Sequence, residues 1–186
     1  MLTTILLATL ALAPSDTACI THPDHVAIEG RRSPLDSLTF AVGGNALKVC
    51  YGRPAARGRT MLGERIAYGN LWRTGANEPT MIHTPVSITV AGVRLEPGTY
   101  SLYTMPGESE WTIILNASID QWGHENSYSE AVRAKEVGRG TAPAGATDAQ
   151  VESFTIRAAP AGERAATLVL EWEGTRVDIP VVVVTG

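Results

Sequence analysis

Between residues 37 and 184, apolar side chains recur at every second position in short runs, and Gly, Pro or Asn separates the runs. Leu38, Phe40 and Val42 alternate with polar or small residues, Gly43-Gly44-Asn45 follows, and Leu47, Val49 and Tyr51 then alternate again. A period of two puts the apolar groups of one run on one face of an extended strand. Gly and Asn supply the positive-φ positions that a tight hairpin demands. Val86, Ile88 and Val90 form the next set, and Ala91-Gly92 turns the chain into Val93 and Leu95. Glu96-Pro97-Gly98 leads into Tyr100, Leu102 and Thr104, and Pro106-Gly107 into Trp111, Ile113 and Leu115. Strands joined by turns this short are antiparallel neighbours.

The C-terminal part repeats the pattern. Residues 151–157 read as a strand with Phe154 and Ile156 on one face. Ala166, Leu168, Leu170 and Trp172 share a face of the next, Glu173-Gly174 makes a turn, and residues 176–184 return. Pro180 within that last run points to an edge or a bulge. Residues 129–137 alone have helical character, and the Gly/Ala/Pro-rich residues 138–149 read as a loop. No βαβ alternation is present. The expected class is all-β: an antiparallel β-sandwich, jelly-roll-like or immunoglobulin-like, of about eight or nine strands with one long irregular loop and at most one short helix. A chain of 186 residues fits one such domain, assigned to residues 33–186.

The first thirteen residues, MLTTILLATLALA, are mostly apolar and uncharged. They are too short to span a bilayer but have the length of a signal-peptide hydrophobic region, so residues 1–18 are read as an export signal and residues 19–32 as a flexible tether. Export implies a periplasmic or extracellular site. Cys19 follows the small residues Thr17 and Ala18, as at a bacterial lipoprotein cleavage site, although Asp16 stands where that signal carries Leu. Three fates compete for Cys19: a lipid anchor, which the preceding small residues favour; a disulfide with Cys50; or a free thiol. The anchor would be the sole membrane attachment. Cys19, His22 and His25 are spaced like a partial metal motif, but a zinc site needs four ligands, so no metal is expected.

The rhythm breaks at residues 52–79, GRPAARGRTMLGERIAYGNLWRTGANEP. A long stretch without strands inside a compact domain is often functional. Composition sharpens this: of 15 basic residues 13 are Arg, and five of them (Arg53, Arg57, Arg59, Arg65 and Arg73) fall between residues 53 and 73 against one carboxylate, Glu64, in a chain of net charge −4. An acidic chain is a poor nucleic-acid binder. A local excess of guanidinium groups suits carboxylate or phosphate, which Arg grips through two parallel hydrogen bonds.

Tyr51-Gly52-Arg53-Pro54, Gly58-Arg59, Tyr68-Gly69, Leu71-Trp72-Arg73-Thr74-Gly75-Ala76-Asn77-Glu78, Leu95-Glu96-Pro97-Gly98-Thr99-Tyr100-Ser101-Leu102, Glu110-Trp111, Asn116 and Gln121-Trp122-Gly123 stand in a specific order. In this the chain resembles the bacterial domain-of-unknown-function family 2911, over roughly residues 33–184. The resemblance implies an exported protein, often with a signal peptide or lipoprotein signal. It implies no activity.

The candidate ligand-binding residues are Arg53, Arg59, Trp72, Arg73, Asn77 and Glu78. Trp72 beside Arg73 offers an aromatic wall and a charged clamp, or else an anchor of the loop to the sheet. Arg73 and Glu78 are candidates to pair. Weak catalytic candidates are Glu78, His124 and Glu125, since a carboxylate beside a His can tune it for proton transfer. No nucleophile elbow, phosphate loop or calcium loop is present, and no cofactor is expected. The function expected first is a non-enzymatic binding module for a small anion or a cell-envelope component. The alternatives are a hydrolase with Glu78 or His124/Glu125 as acid or base and Arg73 holding substrate, and a purely structural envelope protein. Oligomeric state is left open.

Overall fold

The computed structural model describes residues 17–184. Residues 1–16 of the expected export signal lie outside the described residues. Nine strands form one antiparallel sheet: β1 (Leu35–Val42), β2 (Asn45–Gly52), β3 (Thr80–Thr84), β4 (Ile88–Val90), β5 (Val93–Leu95), β6 (Gly98–Met105), β7 (Glu110–Asn116), β8 (Glu136–Gly162) and β9 (Ala165–Val183). Their order is β1-β2-β3-β6-β7-β8-β9-β4-β5. The expected all-β class and strand number hold.

The sheet folds over on itself into two layers, as a sandwich does. β8 pairs through Pro143 with β7 and from Ala144 onward with β9, so this long strand belongs to both layers. One apolar cluster fills the space between them. Leu47 and Val49 of β2, Leu102 of β6 and Trp111, Ile113 and Leu115 of β7 meet Ile88, Leu95, Leu168, Leu170 and Trp172 from the other side. These are the period-two positions of the sequence, facing inward as the alternation requires. The opposite face of β6 and β7 carries Tyr103 and Ile114, which pack under Tyr128 and Val132.

The C-terminal half departs from expectation at three points. Residues 138–149 are not a loop but the first half of β8, held by backbone pairing to β7 and β9. Their small side chains answer to tight space, for a Cβ on Gly140 would overlap the Ala91 carbonyl. The expected helix over 129–137 is one turn, α1 (Glu130–Arg133), with the Ser129 hydroxyl accepting from the Val132 N–H. Glu136 and Val137 go to β8 instead, because a nine-residue helix gains less than strand pairing against β7. No hairpin forms at Glu173-Gly174 either. β9 runs on, with Glu173 at φ 53° beside register shifts in β8 that bend the pair between layers. The exposed Pro180 lies beyond Val177, where pairing to β8 stops, so its missing N–H leaves no gap in the ladder.

The expected tether is a strap. Residues 17–34 are fastened to the domain by a Cys19–Cys50 disulfide with Cα atoms 5.8 Å apart. Lys48 Nζ donates to the Thr17 carbonyl at 2.8 Å. A sulfur bonded to Cys50 is not available for a lipid thioether, so lipidation of Cys19 gives way to the disulfide. Farther along, Arg31 is a buried side chain that donates to the Ala27 and Val26 carbonyls and to both Glu78 oxygens.

Candidate functional site

Residues 53–79 form no regular strand, yet they are fastened to the domain at several points. The Glu173 carboxylate accepts the N–H groups of Met61 and Leu62 at 2.9 and 2.8 Å. Trp72 exchanges backbone hydrogen bonds with Thr104 of β6 and donates its indole N–H to the Gly75 carbonyl at 3.1 Å. Its ring stacks on Trp172 at 5.7 Å and meets Trp111 and Phe154 edge-on. Trp72 is 3% exposed, so it anchors the loop and supplies cavity floor rather than an open stacking face.

After Trp72 the backbone takes two left-handed steps, Thr74 at φ 57° and Asn77 at φ 65°. A β-branched residue in this region costs about 1–3 kcal/mol and persists only where its surroundings over-determine it. Here they do. Thr74 is fully buried and its hydroxyl lies 3.1 Å from that of Thr104. Gly52 lies so close to the Ala76 carbonyl that no side chain fits between them.

The two left-handed residues turn neighbouring side chains in different directions. Arg73 faces Glu125, donating from Nε at 3.1 Å and from Nη2 at 2.9 Å, with its own backbone N–H 3.4 Å from the same carboxylate. Glu78 faces the strap and accepts three bonds, two from Arg31 and one from the His22 N–H at 2.8 Å. Burial alone would raise the Glu78 pKa, but the Arg31 and backbone donors outweigh it and hold the carboxyl below its ordinary range. The expected Arg73–Glu78 pair is therefore corrected to Arg73–Glu125 and Arg31–Glu78. Glu78 does not line the cavity, and its oxygens are taken.

Beside Arg73 opens a cavity of about 730 Å³. Leu71, Ile66, Met61 and Trp172 give it apolar walls, and Asn70, Asn77 and Asn126 contribute amides. Its charged groups are Arg65, Arg73, Arg133 and Glu125. Among the described residues, neither Arg65 nor Arg133 forms a salt bridge (contrast the Arg73–Glu125 pair), and Arg133 lies 5.9 Å from the centre of the Tyr128 ring. Three guanidinium groups against one carboxylate leave a local charge of +2 in a chain of −4. The Tyr128 hydroxyl donates to Glu136 at 2.7 Å, and burial together with that carboxylate pushes its pKa up, so the phenol stays neutral at the cavity edge.

Of the sequence-expected ligand residues, Arg73, Asn77 and Trp72 do line this cavity; Arg53 and Arg59 do not. Arg53 donates to the Thr155 hydroxyl at 3.1 Å, and Arg59 folds back on the Ala56 and Ala55 carbonyls. Arg57 likewise braces the Arg32 carbonyl. Glu125 comes to Arg73 as the hydrolase alternative requires, but His124 does not join them as a base. It is exposed and caps the short 3₁₀ turn Glu125–Ser127, its Nδ1 accepting from the Asn126 N–H at 3.3 Å. Sequence reasoning missed Arg133, which arrives from α1 and carries no local signal linking it to the 52–79 segment. Among the described residues no group of three or more His, Cys, Asp or Glu is placed to hold a metal ion.

No curated protein and no solved structure matches the chain. A family model does match, over residues 33–181, which takes in the loop, the cavity and the sheet up to residue 181 of β9 but not most of the strap. The chain belongs to the family described as "Protein of unknown function (DUF2911)".

Proposed function

We propose that this protein is a binding module for a small anionic ligand, held in the cavity beside Arg73. One observation carries this reading: Arg65 and Arg133, brought from different parts of the chain, line a single 730 Å³ cavity without a carboxylate partner among the described residues. A volume of this size suits a small organic molecule. Arg73 is pre-positioned by Glu125, and the three Asn amides suit a ligand whose anionic group sits on a polar body. The hydrolase alternative keeps only Glu125, and that carboxylate is already engaged in two bonds to Arg73. The disulfide supports an oxidising compartment outside the cytoplasm, since such cross-links persist there.

Thermal shift and calorimetry with inorganic phosphate, succinate and glucose test the reading. An anion at a hundred times its Kd stabilises by about 2.7 kcal/mol, which raises Tm by roughly 5–10 °C in a chain of this size. Glucose leaves Tm unchanged. Arg65→Ala with Arg133→Ala removes the anion response, and Arg53→Ala with Arg59→Ala keeps it. Equal responses in the two double variants would falsify the assignment.

A further inference from the structure

The strap touches both segments that wall the cavity. On one side it holds the 74–79 turn, through His22 and Arg31 on Glu78 and through the Ser33 carbonyl, which accepts the Asn77 amide at 2.9 Å. On the other side it holds residues 120–125. His22 Nε2 lies 2.9 Å from the Asp120 carbonyl oxygen, and the His25 ring stacks on Trp122 at 4.7 Å with 14° between planes. Asn77 and Glu125, the cavity residues, stand beside these points of attachment. The two segments also lock on each other, since Gly123 rests against the backbone of residues 77–79 too closely for any Cβ.

The outer end of the strap has one covalent tie, Cys19–Cys50, helped by the Lys48–Thr17 hydrogen bond. Opening that tie leaves residues 17–30 held by non-covalent contacts alone, and keeping them docked costs backbone entropy at every residue. The sheet does not depend on the strap in the same way: none of residues 17–34 belongs to the main core cluster. We propose that the Cys19–Cys50 disulfide is a redox-controlled latch on the cavity. Oxidised, it keeps the strap clamped on the 74–79 and 120–125 segments; reduced, the outer strap lifts, both segments loosen, and ligand binding weakens. The last consequence rests on the anion-binding reading, whereas the loosening does not.

The reductant is a dithiol. Its thiolate attacks Sγ of Cys19, which is the less buried of the two cysteines. The S–S bond breaks, Cys50 leaves as a thiolate and takes up a proton, and the second thiol of the reductant displaces Cys19 from the mixed disulfide. The products are two cysteine thiols and one oxidised dithiol.

Hydrogen exchange of the full chain, oxidised and then reduced with dithiothreitol, tests the latch, with Cys19→Ser/Cys50→Ser as a reductant-free control. Calorimetry with inorganic phosphate runs alongside. On reduction, amides in residues 17–30, 74–79 and 120–126 exchange about tenfold faster or more while β7 and β9 keep their protection, and phosphate binds about tenfold more weakly. Unchanged exchange in 74–79 and 120–126 overturns the proposal, as does loss of protection in β7 and β9, which would make the disulfide a support of the whole fold. Loosened segments with undiminished phosphate affinity overturn it too. If the oxidised protein binds no anion yet the segments loosen, the latch stands and the anion reading fails.

Discussion

Replacing Glu78 by Gln strands a positive charge. The Arg31 and Glu78 side chains are 1% and 3% exposed, and the guanidinium has no other carboxylate within salt-bridge reach among the described residues. Removing one partner of a buried pair costs about 3–5 kcal/mol, because the survivor keeps its desolvation penalty without its attraction. In a chain of this length that is a fall in Tm of about 10 °C. Urea unfolding at pH 7 with the disulfide intact measures it directly. Adding Arg31→Met to Glu78→Gln recovers part of the loss, since no charge is left stranded. The pH dependence has a definite sign. Glu78 sits below its ordinary value of 4.5, so its contribution is complete above that pH and drains as pH falls through the lowered folded-state value. The advantage of the wild type over Glu78→Gln is therefore flat from pH 7 to about 5 and shrinks in more acid solution. A cost under about 1 kcal/mol, the worth of a surface pair, would refute the reasoning. So would an advantage that grows toward low pH.

Two further outcomes follow from packing. Trp72→Ala empties the centre of a four-ring aromatic cluster and lowers stability by about 3–5 kcal/mol in the same urea assay. Gly123→Ala drives a Cβ into the Asn77 and Glu78 carbonyl groups, so it speeds hydrogen exchange in residues 120–126 and lowers Tm by several degrees. Gly145→Ala, whose new Cβ meets open space, leaves both unchanged.

How far these features were legible in the sequence depends on range. Alternation and turn chemistry are local, and so β1, β2, β6 and β7 could be read from Leu38-Phe40-Val42, Gly43-Gly44 and their successors. The first half of β8 could not. Residues 138–149 look like a loop by propensity, and only the backbones of β7 and β9 make them a strand. The unusual character of residues 52–79 is visible in the sequence, but nearness in the chain does not give the partners of its Arg residues. Left-handed Thr74 and Asn77 separate Arg73 from Glu78, and the fold supplies their partners from 52 residues downstream and 47 upstream. Neither Glu125 nor Arg31 announces such a contact, because an ion pair depends on where two surfaces meet. The fate of Cys19 was open for the same reason, as proximity to Cys50 is a property of the folded strap.

The placement of β9 bears on the order in which the protein can assemble. β4 and β5 lie at the middle of the chain, yet Ile88 and Val90 find their partners at Val183 and Val181, almost a hundred residues later. A chain growing from its N-terminus can zip β2, β3, β6 and β7 in succession, but the second layer has no central strand until residues 165–183 emerge. Such remote pairing places folding in the slow, millisecond-to-second regime of β-sandwiches. Meanwhile the apolar faces of β4 and β5 wait uncovered. The last strand to be made closes the core.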